Sequence, residues 1–134
     1  MTVSGGNGPI RITLTLPTGA EHIRLARLVA SGLVAQLDYG LDDVEDLRIA
    51  VDELCSLVVE HARPASVLTV AYEVVDHMIT VRAAAPTEGA GSGQVEADEL
   101  SRLILMAAAD EHTLSSADGE VVAWMRKRPA SSTG

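Results

Sequence analysis

The residues able to do chemistry are few, and spacing excludes most of the usual constellations. The four histidines are dispersed and the chain has one cysteine, so no His/Cys/Asp/Glu cluster has zinc spacing and no metal site is expected. Ser4, Ser31, Ser56 and Ser66 have no neighbouring His and Asp that would make a hydrolase triad. The glycine-rich run EGAGSG at 88–93 could bring backbone N–H groups to a phosphate. It lacks the Lys-Ser/Thr that completes a phosphate loop, so it reads as a flexible loop. Arg126-Lys127-Arg128 reads as a solvated strand end. What remains is one carboxylate and one imidazole on the same helical stretch, Glu53 and His61. His61 stands where the negative end of a helix would favour an imidazolium.

That stretch is DDVEDLRIAVDELCSLVVEHA, residues 42–62. Val44, Leu47, Val51, Leu54, Cys55, Val58 and Ala62 recur every three or four positions and line one face of a helix. Glu45, Arg48, Asp52, Glu53, Ser56 and Glu60 take the other face, and Asp42 and Asp43 suit the positive N-terminal end. Cys55 falls on the apolar face and reads as a small buried hydrophobe. Before it, IRITLTL (10–16) alternates as a half-buried strand ended by Pro17. Thr18 is an N-cap candidate for a helix over about 20–37 with Ile23, Ala26, Ala30, Leu33 and Leu37 inward. A second set on that helix, Leu25, Leu28, Gly32 and Ala35 beside Arg24 and Arg27, points outward as a candidate protein contact face.

Two β-rich runs follow, 66–75 and 77–85, with Asp76 as the tight turn between them. Residues 98–112 read as a helix with Leu100, Leu103, Ile104, Ala107 and Ala108 as its apolar positions. Two short strands, around 112–116 and 120–127, are joined by Ala117-Asp118-Gly119. Residues 1–9 and 129–134 read as disordered tails around one domain, 10–128. The order β-α-α-β-β-loop-α-β-β implies an α/β (α+β) two-layer sandwich, one mixed, mainly antiparallel sheet with helices on one face.

At 134 residues and 47% hydrophobic, the chain can bury one core and is not disordered. Its net charge of −9 would be repelled by a phosphate backbone, which argues against a nucleic-acid partner, and the lack of Phe argues against base stacking. No apolar run approaches the ~18 residues of a membrane span, and the N-terminus has no signal-peptide pattern, so a cytoplasmic protein is expected.

The run LRIAVDELCSLVVEHA (47–62) resembles the N-box helix of the serine-kinase anti-sigma factors in the GHKL ATPase superfamily. The family pattern is roughly hydrophobic-AV-S/D-E-A-x-T-N-A-x-x-H-A. Glu53 matches its glutamate, Ser56 its threonine and His61 its histidine, with Ala62 after it. The asparagine that binds the magnesium ion on the nucleotide falls on Leu57, which has no lone pair for a hard cation. The resemblance spans about 10–128, is strongest over 19–62 and weak after 82, and implies the GHKL (Bergerat) fold. Aligned on 79–82, the family's D-x-G-x-G positions fall on Ala83, Ala85 and Thr87, and Ala83 cannot accept the adenine hydrogen bond. With Asp110-Glu111 fixing the register, its G-x-G phosphate turn falls on Glu99-Leu100-Ser101, where Glu99 would repel the ligand. The run at 88–93 then reads as a remnant of the nucleotide lid. The family's first helix faces the partner protein and carries an arginine at the place of Arg27.

The resemblance therefore implies an anti-sigma-factor-like regulator of transcription. It would sequester an RNA polymerase sigma factor through Arg24, Leu25, Arg27 and Leu28, form a homodimer, and be countered by an anti-anti-sigma (STAS-type) protein. Metal, adenine and phosphate contacts are all substituted, so no cofactor is expected unless ATP and magnesium find a compensated site. Glu53 is then a vestige of the residue placed to activate the substrate serine. The alternative is an ATP-dependent serine/threonine kinase acting on the anti-anti-sigma protein through Glu53.

Overall fold

The computed structural model describes residues 1–5, 8–88, 93–94 and 97–130. Its strands are β1 (Thr2–Ser4), β2 (Ile10–Pro17), β3 (Val67–Val75), β4 (Met78–Pro86), β5 (Gly93–Gln94), β6 (Glu111–Ala117) and β7 (Glu120–Lys127). They form one sheet in the order β1-β2-β3-β4-β7-β6-β5. Every pairing among the described residues is antiparallel, where a mixed, mainly antiparallel sheet was expected. A short 3-10 turn (Ala20–His22) leads into α1 (Ile23–Val34), followed by α2 (Leu41–His61) and, after the central hairpin, α3 (Glu99–Ala108). The helices cover one face, with α2 packed between α1 and α3 and against β4 and β7.

Period-two alternation decides which side chains meet the helices. Leu68, Val70, Tyr72 and Val74 of β3, Ile79, Val81, Ala83 and Ala85 of β4, and Val121, Ala123 and Met125 of β7 are buried. From α2 they meet Leu47, Ala50, Val51, Leu54, Cys55, Leu57 and Val58. Burial pushes the Cys55 thiol up to about 12, so this cysteine is an inert core residue, as its place on the apolar stripe suggested.

Tyr72 ties sheet to helix. Its buried hydroxyl donates to the Ala26 carbonyl of α1 at 2.7 Å. Tyr72→Phe should lower stability by about 1–2 kcal/mol, because the carbonyl loses its second donor where water cannot replace it. Urea denaturation would check this; a midpoint equal to wild type would mean that the bond contributes nothing net.

Several local expectations change. Thr2–Ser4, expected in a loose tail, pairs with Arg11–Thr13 as an edge strand. Thr18 does not cap the first helix: its hydroxyl donates to the Ser66 carbonyl, and no side chain caps the 3-10 turn or α1. Helix α1 ends at Val34, and Leu37 is only half-buried against the core. The β3–β4 turn takes two residues, Asp76 (φ 51) and His77 (φ 67), because the Val75–Met78 register of a two-residue loop needs positive φ at both. The β6–β7 turn uses Asp118 (φ 56) and Gly119 (φ 75) in the same way, as expected. The run at 88–93 lies mostly outside the described residues, as do 6–7 and 131–134.

Helix α3 is turned differently from its sequence reading. Ser101, Leu105 and Ala108 are the buried residues, whereas Leu100 and Leu103 are 67% and 53% exposed. The helix is strongly amphipathic, yet several of its apolar residues face solvent. Its inward face carries a polar contact, described in the next section.

Candidate functional site

Helix α2 carries the candidate site because it presents flanks to both neighbours. At 100° per residue, Arg48 and Asp52 fall on the flank facing α1, while Glu53 and Leu57, one turn apart, fall on the flank facing α3. Gly40 opens the helix in extended conformation, with Asp42 and Asp43 in the first turn. Arg63-Pro64-Ala65 stops it, with Ala65 at φ 58.

On the α3 flank, the Ser101 hydroxyl donates to Glu53 Oε1 at 2.5 Å. Ser101 is itself held by Asp98, which caps α3 by accepting the Ser101 N–H at 2.7 Å. That N–H holds the Asp98 carboxyl below its usual range. Two positions assigned separately to a catalytic place and a phosphate turn, Glu53 and Ser101, are thus in direct contact. Glu99 is exposed in the same first turn. Leu57 is 3% exposed and belongs to the core, so the position that the resemblance aligns with the metal ligand is filled by packed hydrocarbon.

His61 Nδ1 donates to the Leu57 carbonyl at 2.9 Å, which puts the proton of a neutral ring on Nδ1. The His61 carbonyl accepts from Thr87 Oγ1 at 2.7 Å, and Arg63 N–H donates to the Pro86 carbonyl at 2.7 Å. These bonds staple the end of α2 to the end of β4. Ala83 and Ala85 lie inside that strand at 0% and 1% exposure, paired with Ala123 and Val121 of β7. Glu53, Leu57, His61, Thr87 and Ser101 therefore gather along α2, while Ala83 and Ala85 contribute only methyl groups to the core. Among the described residues, no group of three or more His, Cys, Asp or Glu side chains could hold a metal.

On the α1 flank, Arg27 Nη1 lies 3.3 Å from Asp52 Oδ1, and Ser31 Oγ donates to the Arg27 carbonyl at 3.0 Å. Leu25 and Leu28 are 40% and 61% exposed beside exposed Arg24, Gly32 and Ala35. The four expected contact residues thus form one ridge, with Arg27 at its edge against α2.

Sequence reasoning missed a charged cluster at the start of α2. Lys127 was expected in a solvated strand end, but its side chain is 8% exposed and its Nζ lies 3.6 Å from Asp43 Oδ1. Asp46 stands 4.0 Å away. Asp43 Oδ2 accepts the Ala130 N–H at 2.8 Å, so the first residues of the expected C-terminal tail are pinned. Tyr39 donates to the Lys127 or His77 carbonyl, each at 2.9 Å, and burial pushes its phenol up to about 12. The signal was available: Val121, Ala123 and Met125 set the parity that carries Lys127 inward. Arg126 points to the other face of the sheet, its guanidinium 4.9 Å from the Trp124 ring. An open cleft of about 220 Å³ on that face, lined by Arg11, Thr13, Glu73, Thr80, Arg82 and Trp124 among others, is separated from Glu53 by the sheet.

No protein-family model matches the chain. It is 44% identical over 54 residues to the serine-protein kinase RsbW of Halalkalibacterium halodurans, a match covering 40% of this chain and 33% of that protein. It is 29% identical over 76 residues to the serine-protein kinase RsbW of Bacillus cereus, covering 55% of this chain and 48% of that one. The chain thus spans between a third and a half of the curated relatives it matches. The crystal structure of the RsbU and RsbW domains of Rv1364c from Mycobacterium tuberculosis superposes with a TM-score of 0.67. That superposition covers 88% of this chain and 32% of the other at 17% identity, a likeness of fold.

Proposed function

We propose, from the chain's similarity to serine-protein kinases named RsbW and its likeness of fold to an RsbU–RsbW structure, that it is an RsbW-like member of the GHKL ATPase superfamily and an anti-sigma-factor-like regulatory protein. It binds and sequesters an RNA polymerase sigma factor in the cytoplasm and is countered by an anti-anti-sigma partner of the STAS type. It works as a homodimer. No helix among the described residues is long and apolar enough to cross a membrane.

The observation that carries this reading is the outer ridge of α1. Leu25 and Leu28 are exposed there beside Arg24, and the helix has no acidic residue, although the chain as a whole carries a net charge of −9. An apolar ridge with basic edges fits a protein surface that offers apolar side chains and carboxylates. Gly32 leaves the ridge flat, since a Cβ there would meet nothing within 4 Å. Arg27 uses one of its five donors on Asp52, leaving the others for a partner.

Arg27→Glu should weaken capture of the cognate sigma factor by at least about tenfold, since it reverses a charge at the contact and repels Asp52. Titration calorimetry against that sigma factor reads this directly, and an unchanged affinity would remove α1 from the interface. Arg27→Ala separates loss of the contact from repulsion of Asp52.

Absence of a working nucleotide site belongs to the same reading. It is supported by Leu57 buried at the place of the metal ligand, by Ala83 at the place of the adenine acceptor, and by Glu99 at the phosphate turn. One observation favours a second reading, an ATP-dependent serine/threonine kinase: both relatives are named serine-protein kinases, and Glu53 is kept. That reading requires phosphate transfer to an anti-anti-sigma protein, abolished by Glu53→Gln.

A further inference from the structure

Glu53 already has a hydroxyl against it, and the hydroxyl is the chain's own. Ser101 Oγ approaches Glu53 Oε1 to 2.5 Å, the short end of the range for a hydroxyl bonded to a carboxylate, about 2.5–2.7 Å. A carboxylate that takes a proton from a substrate hydroxyl needs the same kind of contact. The serine is held in a packed turn. It is 6% exposed, its N–H is fixed on Asp98 Oδ1 at 2.7 Å, and Leu105, one turn further on, is 2% exposed in the core.

The contact also accounts for the orientation of α3. Leu100, Leu103 and Met106 remain at 67%, 53% and 63% exposure, while a serine takes the inward place opposite α2. Leu105 and Ala108 are buried on the same face. A buried hydroxyl is tolerated only when it finds a partner, and the partner is Glu53.

We propose that the first turn of α3 is an autoinhibitory plug, in which Ser101 engages one carboxylate oxygen of the half-buried Glu53 as an internal stand-in for an incoming serine and competes for it with hydroxyls from outside the chain. This rests on the reading of Glu53 as the family's hydroxyl-activating position, and it is independent of the α1 contact with a partner. For that oxygen to act on another hydroxyl, Ser101 must release it. The erosion of the nucleotide site and the plug then work in one direction: the carboxylate is kept, but engaged.

The test is chemical access to Glu53 in the full chain. Carboxylates are coupled to glycine ethyl ester with a water-soluble carbodiimide, and the rate at each residue is read by peptide mass spectrometry. Glu45 and Glu60, exposed on the same helix, serve as internal references. In the wild type Glu53 should react about tenfold more slowly than either, since it is half-buried and Ser101 holds one of its two oxygens. Ser101→Ala should bring Glu53 to within about threefold of the references, and Ser101→Thr, which keeps a hydroxyl, should retain most of the protection. Parity of Glu53 with Glu45 and Glu60 in the wild type overturns the proposal, and this arm decides even where Ser101→Ala fails to fold. A folded Ser101→Ala variant whose Glu53 stays protected also overturns it. Neither outcome bears on sigma-factor capture, which the Arg27 variants read separately.

Discussion

Asp43→Ala should lower the stability of the fold by about 3 kcal/mol, because it leaves an ammonium buried without its nearest counter-charge. Lys127 Nζ lies 3.6 Å from Asp43 and 4.0 Å from Asp46, and Asp46 is the more exposed and more distant partner. The substitution also strips the Ala130 N–H of its acceptor and removes a carboxylate from the positive end of α2. Lys127→Met should do far less, about 1 kcal/mol or under, since Asp43 would keep the Ala130 N–H and the helix end while the aliphatic stem is replaced in kind. Urea unfolding of both variants at neutral pH makes the comparison. If Lys127→Met proves the more damaging, or Asp43→Ala lies within about 1 kcal/mol of wild type, the cluster is not the clasp of the C-terminal strand that its geometry implies.

How much of this was legible in the sequence depended on whether one physical signal dominated a segment. In α2 the apolar period of three to four set the helix, its inward face and its boundaries to within a residue, Leu41–His61 against 42–62. The β6–β7 turn was equally readable, because Asp118-Gly119 is the dipeptide that positive φ demands. Asp76-His77 hid the same geometry, since histidine is a less obvious left-handed residue than glycine. In α3 the apolar pattern pointed to a different face: Leu100 and Leu103 stay exposed, while Ser101 turns inward and bonds a residue 48 positions earlier. Thr2–Ser4 has the composition of a tail and becomes a strand only because β2 offers it an unpaired edge. The resemblance over 19–62 selected Glu53, Leu57, His61 and Arg27, and the fold put each where it has a definite neighbour. What neither motif nor period could supply was the pairing: Ser101 with Glu53, Asp52 with Arg27, Asp43 with Lys127. Those pairs depend on which helix flank meets which neighbour, and that follows from packing around the sheet.

Leu57→Asn restores by sequence the one residue whose absence most argues against a magnesium–nucleotide site, and it should restore no binding. An amide placed at a 3%-exposed core position loses hydrocarbon packing and brings polar atoms into the core. The expected loss is about 3 kcal/mol, read by urea denaturation. Calorimetry with ATP should remain flat with and without magnesium, because a single oxygen ligand leaves three further obstacles in place. On the proposed alignment Ala83 stands at the adenine-acceptor position and Glu99 at the phosphate turn, and the Ser101 hydroxyl bonds Glu53. The reading is specific enough to fail. If the asparagine variant folded and bound ATP in a magnesium-dependent way while the wild type did not, the site would have been one substitution from function. The changes at Ala83 and Glu99 would then be compensated, and the kinase reading would stand ahead of the binding protein.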